Sequence, residues 1–177
     1  MIKVQVINKE GTIIAEAAGT REVNLPVSRT YEEGDRVVFL VDETPAFYVF
    51  QADDALGEAL VYVTGEVSYE IPFGEKKVCY SPKIFSGESH LITARKAREW
   101  EYESYRNLAV NVMDQHGDTN CYPHATANVE TRGESVFAAR NAIDGVTSNH
   151  SHGYWPYGSR GINRNTQATM RVDFGIE

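Results

Sequence analysis

The chain is predicted to be all-β, built from two β-sandwich units, and three observations lead there. Short apolar or alternating runs recur along the first hundred residues. Turn residues separate them about every eight to twelve positions, the spacing of sandwich strands. No long segment carries the 3.6-residue apolar period of a surface helix. A hydrophobic content of 42% in 177 residues suffices for one large packed domain or two small ones. The expected division is 1–107 for an N-terminal sandwich, 108–124 for a linker or the first strand of the next unit, and 125–177 for the second unit. Chemistry shifts near that boundary. All six lysines lie at or before Lys96, whereas four of the five histidines (His116, His124, His150 and His152) follow residue 110.

The elements follow in order. Ile2, Val4 and Val6 alternate on one face, and Ile13 to Ala18 returns after Asn8-Lys9-Glu10-Gly11, a hairpin loop. Glu22 to Leu25 is a short strand before Pro26. Arg36 to Val41 is a buried strand, because it is short and rich in Val, Leu and Phe. Ala46 to Gln51 is the next. Glu58–Thr64 and Glu66–Ile71 flank Gly65, as a hairpin or as one strand bent at a bulge. Lys77 to Tyr80 is expected to be a short strand. His90–Ala97 and Glu99–Tyr105 close the unit, with a helix over Lys96–Glu103 as the competing assignment because the stretch is so charged. No internal repeat or low-complexity tract is present.

Charge and composition exclude several functions. A net charge of −8 disfavours nucleic acid and anionic membranes, which are held by clustered Lys and Arg. No run approaches the roughly 18 apolar residues of a membrane span. No secretory signal is visible, so Met1 as a native start implies a cytoplasmic protein. Cys79 and Cys121 lack metal-motif spacing; two free thiols are favoured over a disulfide. No phosphate loop, dinucleotide fingerprint or Gly-x-Ser-x-Gly is found. Asp53-Asp54 is a poor glycosidase pair, since adjacent strand residues point to opposite faces. The balance leans away from an enzyme.

The C-terminal third carries a specific pattern. Ala125-Thr126-Ala127 is followed by a short helical run over Ser135–Arg140, then by Asn141-Ala142-Ile143-Asp144-Gly145 and by an alternating strand ending Val172-Asp173-Phe174-Gly175. In order and spacing these pieces resemble the opening half of a discoidin-type module, the coagulation-factor C-domain or galactose-binding-like fold. The resemblance implies a partial jelly roll that binds glycans, or less often lipids or proteins. It also implies that a second polypeptide or a homo-oligomer completes the module. The family often places a structural calcium at the Asp of Ile-Asp-Gly, here Asp144, with Asn149 at the position of a further ligand. Val146 stands where a second Asp is common, and Trp155 comes four residues after the usual Trp position, taken here by Ser151.

Two stretches carry candidate chemistry. In an extended chain Asp114, His116 and Asp118 share one face, and with His124 they have the donor types for a metal. The alternative is an interdomain linker making turns. The loop after Thr147 is the stronger candidate. Tyr154, Trp155 and Tyr157 can stack on the C–H faces of a sugar. His150, His152, Arg160 and Asn163 can meet its hydroxyls. The reading is a non-catalytic carbohydrate-binding protein whose partner is a glycan or oligosaccharide. A protein-interaction or structural accessory module of a glycan-active assembly is the alternative.

Overall fold

The computed structural model describes residues 1–149, 151, 153–157 and 160–176. It is an all-β structure with one short α-helix among the described residues. In chain order the strands are β1 (Ile2–Ile7), β2 (Ile13–Gly19), β3 (Glu22–Val27), β4 (Arg36–Val41), β5 (Ala46–Gln51), β6 (Ala59–Val63), β7 (Val67–Glu70) and β8 (His90–Lys96). Helix α1 (Glu99–Glu103) follows, then β9 (Cys121–Tyr122), β10 (His124–Ala127) and β11 (Met170–Asp173).

Two antiparallel sheets form a sandwich, ordered β2-β1-β4-β7 and β3-β8-β5-β6-β9. Alternation decides which side chains enter it. Ile2, Val4 and Val6 of β1 point inward, as do Val23, Leu25 and Val27 of β3. From facing sheets, Phe39 and Phe50 stack with ring centroids 4.4 Å apart at the centre. Val37, Val61, Val63 and Ile92 close around them with no solvent exposure. The hairpin after β1 is held as expected, with Asn8 Oδ1 accepting the Thr12 N–H at 2.8 Å.

Three local expectations change. Glu58–Thr64 and Glu66–Ile71 neither pair with each other nor form one strand: β6 lies in one sheet and β7 in the other, so Gly65 is where the chain crosses between layers. A Cβ at Gly65 would sit 3.0 Å from the Asn120 amide, which occupies the inside of that corner. Lys77–Tyr80 is a run of turns after a 3-10 segment (Gly74–Lys77), not a strand. Glu99–Glu103 is helix. Its cause is Glu101, whose carboxylate accepts the Arg98 backbone N–H at 2.8 Å and a two-pronged contact from Arg95 at 2.7 Å. A strand would carry Glu101 away from both.

The segment 108–124 does more than connect. Met113 and Cys121 join the sandwich core, and β9 pairs with the edge of β6. Beyond it, β10 and β11 form a separate two-stranded ladder, His124 opposite Asp173 and Ala127 opposite Met170. Ala125, Ala139 and Ile143 make a small apolar cluster beneath it, with Met170 and Val172 at its margin. The helical run of the Asn-Ala-Ile-Asp-Gly approach consists of two successive 3-10 turns, Ser135–Phe137 and Ala139–Ala142. Cys79 and Cys121 are buried free thiols.

Candidate functional site

The aromatic loop is anchored along its C-terminal half. The Thr131 N–H donates to the Gly161 carbonyl at 3.1 Å, and the Gly161 N–H to the Phe137 carbonyl at 3.1 Å. The Asn163 N–H reaches Thr131 Oγ1 at 2.8 Å. Gly161 has to be glycine: a Cβ there would lie 2.5 Å from the Phe137 ring and 2.6 Å from Thr131 Oγ1. Further on, Asn128 brackets the approach to β11, accepting the Thr169 N–H at 2.7 Å and donating to the Gln167 carbonyl at 3.2 Å. The loop is thereby fixed to the 128–137 segment, a rigid support for whatever it presents.

On that support the predicted contact residues separate. Tyr154 is 60% exposed, an aromatic face offered to solvent. Trp155 beside it is half-buried. Tyr157 is only 6% exposed, so in this structure it is an anchor of the loop. Arg160 is half-buried, and its Nε–H has no hydrogen-bond partner among the described residues. Asn163 is exposed in a turn with φ of +48°. His150 and His152 lie outside the described residues.

Asp144 has a different setting from the one the resemblance implies. Its Oδ1 accepts the Val146 N–H at 2.8 Å, closing an Asx turn, and its Oδ2 lies 3.8 Å from the Arg140 guanidinium. Burial raises its pKa, against the pull of the Val146 N–H and Arg140. Asn149 is exposed. Calcium asks for six to eight oxygens. A carboxylate shared with a buried arginine, and no second acid at Val146, fit that requirement poorly.

No known family, curated protein or solved structure matches the chain. The resemblance of its C-terminal third therefore rests on the three short motifs, and the chemistry of the site rests on its geometry.

The second stretch named from the sequence is split up. Asp114 and His124 do meet, with Oδ1 and Nδ1 2.6 Å apart, and Asp114 Oδ2 accepts the Ala125 N–H at 2.9 Å. Burial raises the Asp114 pKa, opposed by the His124 contact. His116 instead faces solvent and contacts Glu130 at 3.0 Å, while Asp118 is exposed on a shallow groove with Glu66 and Asn120. The four donors do not converge. Among the described residues the one trio close enough to share an ion is Asp53, Asp54 and His90. There Asp53 is committed to structure: Oδ1 meets His90 Nδ1 at 3.0 Å and Oδ2 accepts the Phe85 N–H at 3.0 Å, pinning the 81–90 loop to the sandwich.

The residue that sequence reasoning missed is Arg140. It is 5% exposed, yet it joins both halves of the molecule. Nε donates to the Asp114 carbonyl at 2.8 Å and Nη2 to the Val112 carbonyl at 3.1 Å. Nη1 donates to Asn141 Oδ1 at 3.2 Å and approaches Cys79 Sγ at 3.6 Å, and the guanidinium lies 4.2 Å from the Tyr80 ring centroid. The signal was a single cation within the apolar run Val136-Phe137-Ala138-Ala139-Arg140. Beside it is a cavity of about 120 Å³ lined by Cys79, Tyr80, Gln115 and His116. Burial raises the pKa of the Cys79 thiol and pushes that of Cys121 up to about 12, so neither is an activated nucleophile near neutral pH.

Proposed function

We propose that the protein is a non-catalytic carbohydrate-binding module that holds a saccharide on the rim loop between Ser151 and Asn163. The observation that carries this reading is one short run of the loop. An exposed Tyr154, a half-buried Trp155 and a half-buried Arg160, whose Nε–H has no hydrogen-bond partner among the described residues, lie on a loop whose return is bonded to the scaffold. A sugar needs an aromatic face for its C–H surface and directional donors for its hydroxyls, and a pre-ordered support lowers the entropy cost of binding. Asn163, exposed on the same loop, adds a polar side chain to the site. A panel of neutral and acidic glycans, displayed on an array against the folded chain, tests the proposal. Binding to a defined saccharide that weakens at least tenfold in Trp155→Ala is expected. A folded protein that binds none counts against it.

An interaction module is the second reading, and the C-terminal ladder favours it. It has only two strands, and β11 pairs with β10 alone among the described residues. An open strand edge above half-buried Met170 and Val172 can accept a further strand from another polypeptide or a second copy. Light scattering over a concentration series separates the readings. A stable 19.8 kDa monomer removes self-completion, and a dimer that Val172→Lys dissociates supports it.

A further inference from the structure

We infer that the aromatic groove on the outer face of the five-stranded sheet is a second binding site, built for a small apolar carboxylate such as a short acyl or aryl acid. Its floor is a ladder across three strands. Phe47 pairs in register with Tyr62, and Tyr62 with Tyr122. Phe47 and Tyr62 have ring centroids 5.1 Å apart. One wall is α1, whose Tyr102 stacks on Phe47 at 4.7 Å and which the Arg95–Glu101 contact holds to β8. The other wall is the tail, with Phe174 42% exposed along the groove. That wall is closely fitted, because a Cβ at Gly175 would lie 2.5 Å from the Tyr122 ring. The groove's volume is about 250 Å³, small beside the usual span of ligand pockets.

Charge selects the occupant. Arg106 lines this apolar groove, and no acid among the described residues acts on it. Its Nε–H is buried without a hydrogen-bond partner among the described residues. Burial lowers its pKa with no acid opposing the shift. A planar guanidinium at an apolar groove matches a carboxylate with two parallel hydrogen bonds. An apolar tail on that carboxylate would lie along the aromatic ladder. A sugar suits the groove less well, since the lining offers few polar groups besides Arg106 and the tyrosine hydroxyls.

Calorimetry with octanoate, octanol and octylamine on the full chain tests the site, with aromatic proton NMR to locate it. The expected result is saturable octanoate binding that shifts Tyr62, Tyr122 and Phe174 resonances, weaker octanol binding and no octylamine binding. Arg106→Gln should weaken octanoate about tenfold or more, and Arg106→Lys should lose less. If Arg106→Gln does not fold, Phe174→Ala serves instead and should also weaken octanoate. The inference is overturned by no octanoate binding, by octanol binding as tightly, or by affinity unchanged in both Arg106→Gln and Phe174→Ala. Self-association that protects Tyr122 from octanoate would make it a protein interface.

Discussion

The sandwich of β1–β8 and the segment from Leu108 to Gly175 are held by different forces. The sandwich has a broad apolar core in which Phe39, Phe50, Val4 and Ile92 are fully enclosed. The C-terminal segment has three buried apolar side chains at its centre, and Ala125 and Ala139 contribute little area. Polar staples replace area there: Arg140 on three backbone and side-chain acceptors, Asp114 on His124 and Ala125, and Asn111 donating to the Pro123 carbonyl at 2.9 Å. A core made of area tolerates adjustments of shape. One made of directional bonds depends on each partner, because a buried group left unpaired costs more than the bond was worth.

That contrast can be broken at several points. The largest effect is expected for Phe39→Ala, which should remove about 4 kcal/mol and lower the melting temperature of the whole molecule, since Met113 and Cys121 tie the C-terminal segment to the same core. Arg140→Met comes next, at about 3 kcal/mol. Hydrogen exchange should then show new opening over 108–145 with the sandwich amides still protected. Uniform loss across the molecule would contradict the division of forces. Asp114→Asn should cost about 2 kcal/mol, because it weakens the contact with His124 and gives the Ala125 N–H a poorer acceptor to donate to.

The smallest effect is a pH effect in the first unit. Hydrogen bonds from Arg95, with the Arg98 backbone N–H, lower the Glu101 pKa to about 2 in the folded protein, against an ordinary value of 4.5. A depressed folded pKa means that the contribution is complete above the ordinary value and disappears as pH falls from 4.5 towards about 2. Glu101→Gln should flatten this part of the acid titration and cost about 1 kcal/mol at neutral pH.

The same contrast explains how much was legible in the sequence. Alternation located β1, β3 and β6 because each buries one face. The all-β class followed from them and holds in the structure. Helix α1 was legible only as a competitor, since its cause is Glu101, which caps the Arg98 N–H and meets Arg95, and not an apolar period. Gly65 read as a bulge or hairpin because a crossing between sheets leaves no local mark distinct from either. Asp114 and His124 were picked out by residue type, but their pairing required β10 to return alongside residue 114. Arg140 and Arg106 were missed for the same reason: a cation's partners, or lack of them, are set by the fold. In the rim loop, residue type singled out Tyr154, Trp155 and Arg160, but not the burial that separates Tyr157 from them.

Trp155 offers the most direct measurement. The chain has two tryptophans, and Trp100 is exposed on α1, so Trp100→Phe leaves Trp155 as the only indole. In that protein, titration with the saccharide selected on the array should shift Trp155 emission in a saturable way. The affinity should match calorimetry on the unaltered chain, and Tyr154→Ala should weaken it about tenfold with the melting temperature unchanged. Saccharide binding that leaves Trp155 emission untouched, or a folded protein that binds no saccharide at all, would contradict a sugar held on the rim loop.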